Sequence, residues 1–180
     1  STASGWGSTR SAAPGHRVTG DRDKNNRARD LGKTVVIAVQ DDHTRLVYAE
    51  LHSAENAANV SITLKRGAQW MREQGLGPLE AVLSDNAKCY TGHQFAATLA
   101  GLGARHIRIP PYTPRWNGKL ERFFGTLEDE WAHGRTWPNS ATRDRALSSF
   151  LRYFNRWRPH SAAGGRPPIT RVQHDRRQDS

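Results

Sequence analysis

Hydrophobic and β-branched residues from position 34 onward fall into short runs that are typical of strands. The run TVVIAV, which begins at Thr34, has the composition of a strand buried on both faces. DDHTR follows as a turn and RLVYAEL as a second strand, so these two segments are expected to form a hairpin. PLEAVLS and HIRI predict two further strands, each placed after a helix-like segment.

Four segments carry apolar side chains three or four residues apart, which is the spacing of one helix face. These stripes are Val60, Leu64, Ala68 and Met71; Phe95, Leu99 and Leu102; Leu120, Phe124, Leu127 and Trp131; and Leu147, Leu151 and Phe154. The expected boundary residues are Gly75 and Gly103 as stops, Asn117 or Gly118 as the opening of the third helix, and Asn139 or Ser140 as the cap of the fourth. The resulting order of strands and helices predicts an α/β domain with a mixed sheet.

Residues 1–33 lack this periodicity, because they consist largely of Ser, Gly, Arg and Asp. We therefore expect a flexible basic lead-in over residues 1–33, a folded core over residues 34–172 and a disordered tail over residues 173–180. The full length of 180 residues suits one domain.

The net charge of +10 is confined to the two flanks. Residues 1–33 hold seven basic and three acidic residues, residues 141–180 hold nine and three, and residues 34–140 hold eleven of each. A basic excess of this size favours a polyanionic partner such as DNA, although solvated basic tails would give the same count.

Other compositional features narrow the class of protein. No stretch approaches the roughly 18 apolar residues of a membrane span, and the first residues lack the apolar centre of a signal peptide, so an intracellular protein without a membrane partner is expected. The single cysteine, Cys89, excludes an internal disulfide and a cysteine-based zinc site, and is expected to be a neutral thiol. The histidines show no metal-ligand spacing.

Two carboxylates stand out by position. Asp85 follows the strand PLEAVLS, at the edge of the sheet where α/β proteins commonly bind ligands. Glu121 lies one turn into the third predicted helix, and 35 residues separate it from Asp85. Each has a simpler explanation: Asp85 and Asn86 would also form an ordinary turn, and Glu121 would also be a solvated residue or a partner of Arg115.

Three motifs in this order resemble a known family. LSDNAKCY, PYTPRWNGKLERFFGTLEDEW and YFNRWRPHSAAGGRPPITR are similar to the catalytic core of DDE transposases of bacterial insertion sequences and of retroviral integrases, over about residues 34–172. The resemblance implies an RNase H-like fold in which two Asp and one Glu hold two Mg²⁺ or Mn²⁺ ions for phosphodiester cleavage and strand transfer. Asp85 would be the second Asp and Glu121 the Glu, both as catalytic and as metal-binding residues.

The first Asp of the family's triad has no counterpart. In the family it lies in an opening, central strand, and no strand pattern precedes TVVIAV in this chain. The sequence therefore predicts that the central strand is missing and that the chain is a truncated or inactive copy, unless Asp41 or Asp42 substitutes for the first Asp. A frameshift would also explain the unmatched first residues.

The resemblance also implies residues that contact DNA. These are Arg115, Asn117, Gly118, Lys119, Arg122, Arg156 and Arg158; a helix cap at Asn117 or Gly118 and solvated arginines are the alternatives. Tyr153, Phe154 and Trp157 are expected to pack against the domain.

The function predicted from the sequence is DNA transposition, with transposon ends and target DNA as partners, a homo-oligomeric assembly, and a cytoplasmic, nucleoid-associated location. One alternative is a non-catalytic DNA-binding remnant. Another is a different RNase H-like nuclease that acts on RNA–DNA hybrids.

Overall fold

A computed structural model describes residues 10–12, 16–18, 34–110, 118–134 and 136–172 of the 180-residue chain. The strands are β1 (Arg10–Ala12), β2 (His16–Val18), β3 (Thr34–Asp41), β4 (Val47–His52), β5 (Ala81–Ser84) and β6 (Arg105–Arg108). The helices are α1 (Ala57–Glu73), α2 (Lys88–Thr91), α3 (His93–Leu102), α4 (Gly118–Leu127) and α5 (Ser140–Arg156). A π-helical turn at Glu128–Ala132 continues α4, and a 3₁₀ turn at Ser161–Ala163 follows α5.

The strands form one mixed sheet with β1 near its centre. β1 pairs antiparallel with β3 and parallel with β5, β5 pairs parallel with β6, and β4 pairs antiparallel with β3. This arrangement confirms the predicted α/β class and the predicted hairpin. The prediction of a missing central strand is wrong, because Arg10–Ala12 occupies that place and supplies backbone partners to both neighbours.

β1 and β2 lie end to end along the same side of β3. Arg10 pairs with Asp41 and Ala12 with Val39, whereas His16 pairs with Val36 and Val18 with Thr34. The register shifts by one residue between the two segments, as a β-bulge would shift it. The expected lead-in without regular structure therefore does not hold at residues 10–12 and 16–18, while the proposed boundary at residue 33 stays a prediction.

Two apolar layers cover the sheet, because the side chains of β3 alternate between its faces. Val35, Ile37 and Val39 pack with the stripes of α1 and α3. Val36 and Ala38 pack with α4 and α5 on the other face. Most residues of the predicted stripes are buried, whereas Leu102 and Leu151 are half-buried. The buried ones are Val60, Leu64, Ala68, Met71, Phe95, Leu99, Leu120, Phe124, Leu127, Trp131, Leu147 and Phe154.

The helix ends agree with the sequence signals. Gly103 ends α3 in the left-handed conformation with a φ of 67°, and the Asn139 side chain caps α5 by accepting a hydrogen bond from the Thr142 N–H at 2.9 Å. The aromatic residues near the end of α5 differ from expectation. Trp157 is 70% exposed and Tyr153 is 45% exposed, so of the three predicted packing residues only Phe154 is buried.

None of the helices in the described ranges is both long and apolar enough to cross a membrane.

Candidate functional site

Asp85 lies directly after β5, at the carboxyl edge of the parallel strands. Its Oδ1 accepts a hydrogen bond from the Ala87 N–H at 2.9 Å, which forms the turn that the sequence allowed as an alternative. The neighbouring Asn86 donates its side-chain N–H to the Ile109 carbonyl oxygen at 3.0 Å. This bond ties the Asp85 turn to the end of β6, so the half-buried carboxylate is held at the edge where it was predicted.

Glu121 lies in the first turn of α4 and is exposed to solvent. The helix is fixed beneath it by Leu120, Phe123 and Phe124, which are all buried against the sheet and α5. Within the described residues Glu121 and Asp85 make no direct contact with each other. A bridging ligand would be needed to join them.

Asp41 and Asp42, the two suggested substitutes for the first Asp, have other roles. The Asp41 carboxylate is fully buried and accepts hydrogen bonds from the Thr44 N–H at 2.8 Å and the Thr44 hydroxyl at 2.7 Å. Asp42 forms an ion pair with Lys119, with 2.7 Å between Oδ1 and Nζ. These contacts stabilise the turn after β3 and attach α4 to it.

The register of the sheet also separates Asp41 from Asp85. Arg10 pairs with both Asp41 and Val82, so Asp41 is level with Val82, and Asp85 lies three residues farther along. At about 3.3 Å per residue and about 4.8 Å per strand, the two residues are roughly 10 Å apart along the strands and roughly 10 Å across them. They are too far apart to share an ion.

Among the described residues, the donors do not form the three-carboxylate set that the implied pair of metal ions requires. Asp85 and Glu121 carry oxygen donors of the kind that Mg²⁺ prefers. However, the described part of the chain contains no group of three acidic, histidine or cysteine side chains placed to hold a metal. The strand at the centre of the sheet reads Arg10, Ser11, Ala12 and contributes no carboxylate.

The predicted DNA-contacting residues are dispersed. Gly118 and Lys119 begin α4, and Arg122 is exposed one turn later. Arg115 and Asn117 lie outside the described residues. Arg156 is exposed at the end of α5 and donates to Gln74 Oε1 at 2.8 Å.

Arg158 is paired with Glu130, which extends from the π-helical turn. Its Nε and Nη2 donate to Glu130 Oε1 at 3.0 and 2.8 Å, and this bond raises the pKa of Arg158 despite partial burial. His160, two residues later, also contacts α5. Its ring packs edge-on against the ring of Phe154, with 4.5 Å between the ring centroids. The Arg-Pro-His segment therefore holds the tail against α4 and α5, and its predicted DNA contact stays a prediction.

Asn155, in the Tyr-x-Asn part of the same motif, has a structural role. It is buried, and its side-chain amide accepts from the Val47 N–H at 2.9 Å and donates to the Val47 carbonyl at 2.7 Å. These two bonds occupy the outer edge of β4 as a further strand would.

Cys89 is the neutral thiol that the sequence predicts. Burial, with a contribution from Glu55 3.6 Å away, raises the pKa of Cys89 to about 12. A thiol with this pKa is not a nucleophile at neutral pH.

The sequence reasoning did not identify a basic pocket behind α4. Arg45, Lys119, Arg122 and Arg158 line the same cavity of about 210 Å³. In the sequence, Arg45 is identified only as part of the turn DDHTR. Lys119, Arg122 and Arg158 are identified only as separate members of two motifs. Their convergence depends on tertiary packing, which local spacing does not report.

Comparison with protein families shows the family to which this chain belongs. A model of the integrase core domain matches residues 12–114, which is more than half of the chain, and a second integrase core domain model matches residues 102–168. The chain belongs to the integrase core domain family. It is a transposase/integrase catalytic core with the RNase H-like fold, as its motifs predicted.

Bacterial insertion elements encode similar proteins. An uncharacterized 39.2 kDa protein of insertion element IS476 from Xanthomonas euvesicatoria is 33% identical over 88 residues, which are 49% of this chain and 25% of the relative. Transposase InsD of insertion element IS2A/D/F/H/I/K from Escherichia coli is 29% identical over 86 residues, which are 48% of this chain and 29% of the relative. The matched segment thus spans between a quarter and a third of these two relatives.

Solved integrase cores share the fold. The catalytic core domain of BIV integrase superposes with a TM-score of 0.65 at 22% identity and covers 94% of this chain and 97% of its own. The HTLV-2 integrase catalytic core domain in complex with magnesium, in a trimeric form, gives a TM-score of 0.64 at 12% identity and covers 92% and 95%.

Proposed function

We propose that this integrase core domain acts in DNA transposition by binding DNA, and that the chain alone does not complete the metal-dependent cleavage site of the family. The observation that carries the proposal is the central strand. Its place in the sheet is filled by Arg10–Ala12, but the carboxylate that the family's chemistry requires there is absent. Asp85 and Glu121 remain at the positions that match the motifs.

DNA binding is supported by the distribution of cationic side chains. Lys119 and Arg122 carry positive charge on one face of α4 and line the same cavity, Arg156 is exposed at the end of α5, and the family acts on DNA. We further propose that DNA at transposon ends and target sites is the partner, and that the chain assembles with further copies of itself. Mg²⁺ or Mn²⁺ belongs to the chemistry of an intact triad and not to the two carboxylates present here.

A binding and cleavage assay with the 180-residue chain tests this proposal. Affinity for a fluorescent duplex is measured at several salt concentrations, and a supercoiled plasmid is incubated with Mg²⁺ or Mn²⁺. We expect binding that weakens steeply with salt and no metal-dependent nicking. Nicking by the unaltered chain that Asp85→Asn abolishes would show that the metal site is complete, and failure to bind DNA at low salt would refute the DNA-binding role.

A gain-of-function variant sharpens the test. Ser11 shares its register with Gln40 and Leu83, and Leu83 lies two residues before Asp85, so position 11 is within about 7 Å of the level of Asp85 along the strands. We expect Ser11→Asp to introduce metal-dependent nicking, and Ser11→Asn, which has the same size without charge, to stay inactive. Nicking by Ser11→Asp should disappear when Glu121→Gln is added, whereas nicking that survives would exclude Glu121 from the site.

The same assay with an RNA–DNA hybrid addresses the nuclease alternative. We expect no cleavage of the hybrid, and hybrid-specific cleavage would instead assign the chain to an RNase H-like nuclease.

A further inference from the structure

The basic cavity of about 210 Å³ lies between the turn after β3, α4, the end of α5 and the tail that follows it. We call it the α4 pocket and define it by Arg45, Lys119, Arg122, Thr126, Arg158 and His160. At roughly 30 Å³ per water molecule, its volume corresponds to about seven waters. It therefore has room for a small, hydrated anion but not for a large organic ligand.

The lining of the α4 pocket contains four cationic side chains and no carboxylate. Asp42 pairs with both Lys119 and Arg45, and Glu130 pairs with Arg158, so two acids face four cations, and neither acid lines the cavity. Arg122 has no acidic partner among the described residues. The pocket thus keeps an excess of positive charge, with two guanidinium groups able to donate paired hydrogen bonds.

Arg45 enters the pocket from an unusual backbone conformation. Its φ of 70° makes it the one non-glycine residue with positive φ in the described ranges. The turn is fixed by the Arg45 N–H, which donates to the Asp41 carbonyl at 3.0 Å, and by the bonds from Thr44 to the Asp41 carboxylate. Glycine or asparagine would adopt this conformation at lower cost, so the backbone gives no reason for an arginine here. Its side chain supplies one wall of the pocket.

The cations in and around the pocket repel one another. Burial lowers the pKa of Arg45, Asp42 opposes this effect, and both Arg171 and Arg122 lower the pKa further. A bound anion would relieve this repulsion.

The pocket is distinct from the carboxylate site. Lys119, Arg122, Phe123 and Thr126 follow the spacing of one face of α4. Glu121 is two residues from Lys119, which rotates it by about 200° around the helix axis. The two sites therefore lie on opposite sides of α4.

We propose that the α4 pocket binds a phosphate group through Arg45, Arg122 and Lys119, and that this phosphate belongs to the backbone of a DNA strand. The assignment to DNA rests on the proposed function, whereas the assignment to phosphate rests on the cavity and its charges. A DNA strand bound there would pass behind α4 and be held at a fixed distance from Glu121.

The phosphate assignment is tested by calorimetric titration of the 180-residue chain with inorganic phosphate. Thr126→Glu places a carboxylate in the pocket at a half-buried position of α4, and Ser149→Glu makes the same charge change at an exposed position of α5. We expect Thr126→Glu to weaken phosphate binding at least tenfold and Ser149→Glu to leave it within about twofold. Equal effects of the two variants, or no phosphate binding by the unaltered chain, would overturn the proposal. Thermal unfolding of each variant confirms that it is folded.

The DNA assignment is tested by the salt dependence of duplex binding. Removal of one phosphate contact reduces the slope of log K against log salt concentration by about one. We expect this reduction for Arg45→Gln and for Arg122→Gln, and no change for Arg145→Gln, an exposed arginine of α5. Phosphate binding combined with unchanged slopes would refute DNA as the source of the phosphate. Phosphate binding by a chain that does not bind DNA at all would refute the proposed function and leave the phosphate site standing.

Discussion

Among single residues, Asn155 connects parts of the fold that are far apart in the sequence. Its amide group makes both of the hydrogen bonds that a strand residue would make to Val47, although the two are 108 positions apart in the sequence. The sequence identified Asn155 only as part of a family motif, because nothing in local spacing indicates which backbone groups an amide will meet. Burial of these groups makes their pairing necessary.

Replacement of Asn155 is expected to destabilise the domain. Asn155→Ala leaves the Val47 N–H and carbonyl without their partner, and each buried unpaired group costs about 1–3 kcal/mol, so we expect a loss of about 2–6 kcal/mol in the free energy of unfolding. Urea unfolding monitored by tryptophan fluorescence measures the change. Asn59→Ala, which removes one solvent-exposed side-chain bond to the Ala54 carbonyl, is the control and should cost less than about 1 kcal/mol. Equal losses would show that the Val47 bonds contribute little.

The lowered pKa values of two histidines indicate how the free energy of unfolding depends on pH. Burial lowers the pKa of His106, with Arg108 adding to the effect, and burial also lowers the pKa of His160. The unfolded chain binds more protons at these positions near and below the ordinary pKa of 6.5. Their contribution is therefore complete above pH 6.5 and is lost as the pH falls through the lowered values.

Urea midpoints at about pH 8 and about pH 5.5 measure this loss of stability on acidification. His106→Gln removes one titrating group while keeping a polar side chain beside the Ser84 hydroxyl, which lies 2.8 Å from His106 Nε2. The difference between the two midpoints should shrink in this variant and stay unchanged in His133→Gln, an exposed position. A difference that persists in full would contradict the assignment to His106.

At the scale of elements, the end of α4 shows a constraint that helical periodicity does not reveal. The apolar stripe of Leu120, Phe124, Leu127 and Trp131 correctly predicts a helix, but not the change from α-helical to π-helical geometry at Glu128. A Cβ atom at Gly134, just after this turn, would lie 2.5 Å from the Glu130 carbonyl oxygen. The helix can therefore end in this way only with glycine at that position.

A pair of glycine substitutions in α4 and its continuation is expected to act in opposite directions. Gly134→Ala forces the backbone of the π-helical turn to shift, and we expect it to destabilise the domain by about 1–3 kcal/mol. Gly125→Ala, at an exposed position with nothing within 4 Å of the added Cβ, should stabilise it by about 0.5–1 kcal/mol. Thermal unfolding of both variants gives the sign of each effect. A stabilising Gly134→Ala would contradict the close approach to Glu130.

The central strand marks the limit of sequence reasoning about this fold. The outer hairpin and β5 have apolar patterns strong enough to be recognised alone, whereas Arg10–Ala12 and His16–Val18 do not, and only their pairing with β3 defines them as strands. The sequence also predicts only part of the functional surface. Asp85 and Glu121 follow from motifs and spacing, but the α4 pocket does not, because Arg45 and Arg158 reach it from segments more than 100 residues apart.

At the scale of the whole molecule, the basic flanks serve different purposes. Part of the N-terminal flank lies in the sheet as β1 and β2, and part of the C-terminal flank anchors the tail through Arg158 and Glu130. Net charge alone therefore overstates how many basic residues are available for DNA. The pocket behind α4 concentrates four of them at one place.

Removal of the N-terminal flank tests whether residues 34–172 fold alone. A variant that consists of residues 34–180 loses β1 and β2, which leaves backbone groups of β3 unpaired at residues 34–36 and 39–41 and those of β5 at residues 82 and 83. At about 1–3 kcal/mol for each buried unpaired group, the loss approaches the total stability of about 5–15 kcal/mol that is typical of a domain. We expect the variant to lose its near-ultraviolet circular dichroism signal and to unfold in urea without a cooperative transition.

A variant that ends at Val172 is the control and should unfold cooperatively, since it retains every described strand. Cooperative unfolding of residues 34–180 at an unchanged midpoint would show that the central strand contributes nothing to stability, and would support the boundary at residue 33.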